Sequence, residues 1–133
     1  EHAALRMTNA ADTQKYITAQ TGLDMNVTAF LIDGSYEGEV ADNIFVIFNP
    51  NAEKTTVTLP EGDWNIYVSG NKAGTTALKS VSGEVTVDGI TAMVLCQDDN
   101  KPATSPVLPI AGGVAAVAAL GAAVAVVLKK RNK

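Results

Sequence analysis

Asn43-Ile44-Phe45-Val46-Ile47-Phe48-Asn49-Pro50-Asn51 decides the reading of this chain. Five consecutive large apolar residues, rich in β-branched and aromatic types, end at a polar Asn-Pro-Asn stop. A short unbroken apolar run closed by turn formers predicts a strand buried on both faces and central to its sheet. Pro50 cuts the run off far short of helical length. Asn49 and Asn51 suit the turn around a residue whose φ is already set.

The flanking segments repeat this pattern at 8–12-residue spacing. Residues 26–33 form a strand closed by Gly34, and 35–42 a polar surface connection carrying Glu37 and Glu39. Residues 55–59 alternate as a half-buried strand should. Pro60-Glu61-Gly62-Asp63 is a turn signal. Residues 64–69 alternate again, with Trp64, Ile66 and Val68 on one face. Gly70 to Gly74 turns the chain, 75–78 suit a short edge strand, and 81–87 run into Asp88-Gly89. Residues 90–97 are the last strand. The expected fold is therefore all-β, an antiparallel β-sandwich over 26–97. Residues 1–25 read as a connector arriving from an upstream domain, with a short helix over 10–19 capped by Thr8 or Asn9.

Charge divides the chain sharply. Residues 1–128 hold all 14 acids against six bases, a net of −8, and the last five residues carry +4. An acidic body argues against nucleic acid as a partner. Residues 98–109 are polar and proline-bearing, a linker. Residues 110–128 contain no charge, and as a helix of about 1.5 Å per residue they reach roughly 28 Å, close to a bilayer's hydrocarbon thickness. Lys129, Lys130, Arg131 and Lys133 abut that span and hold the C-terminus in the cytoplasm. The expected arrangement is one C-terminal transmembrane helix, a basic tail over 129–133, and the sandwich on the extracellular face of a Gram-positive cell. The lone Cys96 rules out an internal disulfide.

Several stretches, in order, carry a family resemblance. They are His2-Ala3-Ala4-Leu5-Arg6-Met7-Thr8, the strands at 44–51 and 55–62, Trp64-Asn65-Ile66-Tyr67-Val68, the Gly70-Asn71-Lys72-Ala73-Gly74 turn, and Ile90-Thr91-Ala92-Met93-Val94-Leu95. Over residues 2–97 the chain resembles the end of type I pullulanases, debranching enzymes of the α-amylase superfamily. Ala3 stands where that family commonly has Pro. The resemblance implies a C-terminal sandwich that follows a catalytic barrel hydrolysing α-1,6 branches of pullulan and starch. The barrel's carboxylates have no counterpart in this chain. Leu108-Pro109-Ile110-Ala111-Gly112 resembles the sortase sorting signal Leu-Pro-x-Thr-Gly, but Ala111 replaces the threonine that sortase attacks. That departure favours a retained membrane anchor over attachment to the wall.

No catalytic constellation and no cofactor site is expected. The acid pairs Glu37/Glu39, Glu61/Asp63 and Asp98/Asp99 fall in turns or the linker and read as solvated. Cys96 reads as a small buried hydrophobe. Tyr36, Tyr67 and Trp64 are the aromatic candidates for α-glucan contact, although Trp64 shares its alternation with core residues. The leading expectation is a non-catalytic accessory domain and anchor, packed on its own barrel. The competing one is an independent carbohydrate- or protein-binding module.

Overall fold

The computed structural model describes residues 2–100. A 3₁₀ turn at Ala3–Arg6 and helix α1 (Ala10–Tyr16) precede strands β1 (Ile17–Ala19), β2 (Thr28–Asp33), β3 (Asn43–Asn49), β4 (Thr55–Ser69), β5 (Lys72–Ala73), β6 (Lys79–Val87) and β7 (Thr91–Gln97). Every pairing is antiparallel, in the order β1-β2-β3-β7-β4-β5 with β6 also on β4. The deciding stretch is β3, placed between β2 and β7. Phe45 and Ile47 point into one buried cluster, and Ile44 and Val46 into another on the opposite face. Phe48 departs from the expectation at 46 % exposed. Its row neighbours are Thr28 and Ala92, and it lies past the cover that Ala4, Ala41 and Tyr36 give to Ile44 and Val46.

The expected turn at Pro60-Glu61-Gly62-Asp63 is corrected: β4 runs through it as one 15-residue strand. Its register against β6 slips there, from Thr58↔Glu84 to Asp63↔Ser82. The extra residues bulge outward, a place where Pro60 loses no ladder bond. Gly62 takes φ +109, a region a side chain disfavours. Trp64 Nε1 donates to Pro60 O at 2.9 Å and pins the bulge from inside. This bend lets one sheet double over. The first half of β4 and the second half of β6 bring Val57, Leu59, Val85 and Val87 onto Phe45, Ile47, Met93 and Leu95, with Trp64 fully buried among them. The result is a two-layered core made from one sheet.

Two further expectations shift. The helix starts as read, with Asn9 Oδ1 accepting from Asp12 N at 2.8 Å, but it ends at Tyr16 rather than at 19. β-Branched Ile17 and Thr18 pair with Ile32 and Leu31 instead. The short strand expected at 75–78 is absent. The chain makes a two-residue Gly70-Asn71 hairpin into β5, with Gly70 at φ +61, and rejoins β4 only at Lys79.

Among the described residues no helix is long and apolar enough to cross a membrane. The span read at 110–128, the linker beyond residue 100, the Leu108–Gly112 motif and the basic tail lie outside the described residues.

Candidate functional site

The face of β3 that carries Ile44 and Val46 is covered at one end by the connector and by the loop between β2 and β3. The cover is held by a single carboxylate. Glu39 accepts from Ala4 N at 2.9 Å, Val40 N at 2.9 Å, Ala41 N at 3.0 Å and His2 Nδ1 at 2.6 Å. Its side chain has no exposed surface. Burial pushes this carboxyl upward, but the four hydrogen bonds outweigh burial and hold it at about 2. The reading of Glu39 as a solvated loop acid is therefore corrected. Its partners in the connector lie more than thirty residues away in sequence, so no local pattern could have shown them.

Asp98 does comparable work at the other edge of the same region. Its carboxylate accepts from Tyr67 Oη at 2.6 Å, Asn65 Nδ2 at 2.7 Å and Asn100 N at 3.2 Å. Asn65 in turn accepts from Ser80 Oγ at 2.5 Å. Burial raises the Asp98 carboxyl, the hydrogen bonds lower it by more, and the outcome lies below the usual carboxylate range. Burial, then the Asp98 carboxylate, push the Tyr67 phenol up to about 12. Read as a linker residue, Asp98 is instead part of the domain.

Between these two anchored acids lies a groove of about 590 Å³. Leu5, Val40, Val68 and Val94 form its apolar wall, and His2, Tyr67 and Asp98 its polar end. The expectation that Val68 shares a face with Trp64 and Ile66 is corrected, because the register against β7 slips between Ile66 and Val68 and puts Val68 beside Val94. Cys96 is at its floor, with Sγ 4.0 Å from His2 Nε2. A cysteine beside a histidine has the outline of an activated nucleophile, but burial first, then the Asp98 and Glu39 charges, push the thiol up to about 12. It stays protonated and unreactive at neutral pH. Among the described residues no group of three His, Cys, Asp or Glu side chains is placed to hold a metal ion.

The three aromatic candidates do not converge. Trp64 is 0 % exposed and offers no face to a sugar. Tyr36 packs edge-on against Tyr16, with ring centroids 5.3 Å apart. Tyr67 alone lines the groove, its hydroxyl already taken by Asp98.

Comparison with known proteins fits this architecture. Residues 14–72 match the family described as pullulanase, all-beta domain. Among solved structures, the pullulanase from Bacillus acidopullulyticus superposes with a TM-score of 0.68 at 34 % identity, over 72 % of this chain and 12 % of that one. The type I pullulanase from Bacillus subtilis str. 168, complexed with maltose, gives a TM-score of 0.65 at 21 % identity, over 74 % of this chain and 14 % of that one. The pullulanase from Anoxybacillus sp. LM18-11 gives 0.62 at 18 %, over 73 % and 13 %. The latter two establish the fold. The chain thus spans about an eighth of the length of the pullulanases it matches. In the all-β domain described here, the polar side chains of the groove are spent on holding the connector and the end of β7 in place.

Proposed function

We propose that this chain is the C-terminal, non-catalytic portion of a secreted pullulanase-type glycoside hydrolase acting on α-1,6 branches of starch or pullulan. What carries the reading is the match of residues 14–72 to the pullulanase all-β domain, joined to a 34 % identical solved pullulanase of which it spans 12 %. The domain follows the catalytic domain and supports it mechanically. The connector is clamped by Glu39, so the direction in which the chain enters the domain is set by two hydrogen bonds, from His2 and Ala4, to a carboxylate that Val40 N and Ala41 N hold in place. Residues 101–109 then act as a spacer and 110–128 as a membrane span. The basic tail lies inside the cell, and the enzyme is held outside within reach of glucan.

Two measurements test this. The sequence or intact mass of the native polypeptide should reveal an amylase-type domain ahead of His2, and that polypeptide should hydrolyse pullulan. Fractionation with protease treatment of whole cells should place the sandwich outside and the tail protected. A native chain with no preceding domain that binds soluble α-glucan would instead support an independent binding module.

A further inference from the structure

The chain holds two Asp-Gly pairs, Asp33-Gly34 and Asp88-Gly89, each with an exposed aspartate at or just past the end of a strand. Such a pair can rearrange without an enzyme, because glycine has no side chain to shield its nitrogen from the preceding carboxyl. The two pairs sit in opposite surroundings. Gly34 N donates to Asp42 O at 3.0 Å, and the Asp33 carboxylate accepts from Ser35 N at 2.8 Å. Both reacting groups there are engaged. The bonds from Ser35 also hold the Asp33 carboxyl below the usual carboxylate range, away from its neutral, reactive form. At the second pair, Gly89 N donates to no partner among the described residues. The Asp88 carbonyl, by contrast, accepts from Asn49 Nδ2 at 3.0 Å, and Asn49 is 1 % exposed. That carbonyl and Gly89 N belong to one amide. A donor on the oxygen draws electron density from the nitrogen and makes its N–H easier to ionise. The nucleophile is free of any acceptor and activated from behind.

We infer that Asp88-Gly89 is a site of spontaneous isoaspartate formation in the folded protein, promoted by Asn49. Gly89 N gives up its proton and attacks Cγ of the protonated Asp88 carboxyl. A C–N bond forms, a C–O bond breaks and water leaves, closing a five-membered succinimide. Water then adds at either ring carbonyl. Opening at the Asp88 backbone carbonyl leaves the chain running through Cγ, so the product is isoaspartate with no net change in atoms. The main chain is then one methylene longer. Gly89 has no room to absorb it, since even a Cβ there would collide with Ala52 O. The turn must shift, and Asn49 loses its Asp88 partner.

Ageing the intact native polypeptide in mildly acidic buffer, both folded and in guanidinium chloride, tests the assignment. Digestion at acid pH and electron-transfer fragmentation then locate isoaspartate residue by residue. In the denaturant both aspartates should convert at similar rates. Folding should slow Asp33 severalfold and leave Asp88 as fast or faster. Folding that slows Asp88 as much as Asp33 overturns the inference. The aged, converted protein should unfold at a lower urea midpoint than fresh protein. Asp88→Glu keeps the charge at an exposed position but would need a six-membered ring to cyclise, so its midpoint should survive the same ageing. An equal fall in that variant would place the damage elsewhere and refute the link to Asp88-Gly89.

Discussion

Substituting Asn49 by Asp changes one NH₂ for an oxygen and leaves the shape of the side chain intact, so the response isolates chemistry from packing. Asn49 is 1 % exposed. Its Nδ2 points at three carbonyls, Glu53 O at 2.9 Å, Asp88 O at 3.0 Å and Val87 O at 3.2 Å, while its Oδ1 accepts from Asn51 N at 3.1 Å. A protonated Asp can offer one hydrogen where Asn offers two, a loss of about 1–1.5 kcal/mol. An ionised Asp would set a charge against three carbonyl oxygens without solvent, which should raise its folded pKa by on the order of 2–3 units. A carboxyl whose folded pKa is raised costs nothing extra below its unfolded pKa. The added loss then grows by about 1.4 kcal/mol per pH unit until the folded pKa is passed. The expected deficit against the parent is therefore about 1–2 kcal/mol near pH 4, rising to about 4–5 kcal/mol at pH 7 and level above that. Urea unfolding of both proteins in parallel across this range measures it. A deficit below about 1 kcal/mol that does not change with pH would refute the reasoning, since no acceptor-lined site could treat the carboxylate so mildly.

Glu39 should show the opposite sign. Its folded carboxyl, at about 2 against an ordinary 4.5, contributes stability that is present above the unfolded value and lost as pH falls toward 2. That amounts to about 3 kcal/mol by linkage. Glu39→Gln should remove the acid-side slope between those limits, and an unchanged slope in the variant would show that another group supplies it. The Tyr67 phenol, at about 12, should keep the absorbance of a neutral phenol through the ordinary tyrosine range, and ionisation of Tyr67 within that range would contradict the Asp98 contact. Its stabilising effect is present below the ordinary tyrosine range and is lost as pH rises toward 12. Gly89→Ala would press a methyl onto the carbonyls of Ala52 and Asn51, and unfolding should register a loss of about 3 kcal/mol or more. Ile90→Gly should move the other way. Ile90 is exposed with φ +52, a conformation a β-branched residue resists, so relief of strain should raise stability by about 0.5–1 kcal/mol in the same assay.

How much was legible in the sequence follows the range of the interactions involved. Strands declare themselves locally, by alternation and by the residues that stop them, and β2, β3 and β7 were readable for that reason. The bend in β4 was not. Pro60-Glu61-Gly62-Asp63 has the composition of a reversal, and only the continuous partner β6 turns it into a bulge. The end of α1 was likewise hidden, because Ile17 and Thr18 are drawn into the sheet by β2 rather than released by a helix stop. Among side chains, Trp64 was legible as core from its alternation, and Cys96 from the usual burial of a lone cysteine in a strand. Glu39, Asp98 and Asn49 were read as loop or turn residues. Each also has partners more than thirty positions away, beside local ones such as Ala41 N for Glu39, Asn100 N for Asp98 and Glu53 O for Asn49.

Those three polar residues divide the domain into ends with different duties. At the Asn49 end, the side chain bonds only to backbone, and Asn51 adds Met25 O at 2.8 Å and Asn26 Nδ2 at 3.1 Å. The polar atoms of the Asn49 side chain are spent on these internal bonds, so substitution of Asn49 should register as a change in stability. At the connector end, Glu39 and Asp98 keep full charge in a partly apolar setting, beside a groove whose wall is Leu5, Val40, Val68 and Val94. Holding a buried carboxylate at Glu39 and a half-buried one at Asp98 is costly unless their oxygens are hydrogen-bonded. The charges are placed where the connector must leave in one direction and β7 must end at one point. Their effect is to fix where the connector meets the sheet and where β7 ends.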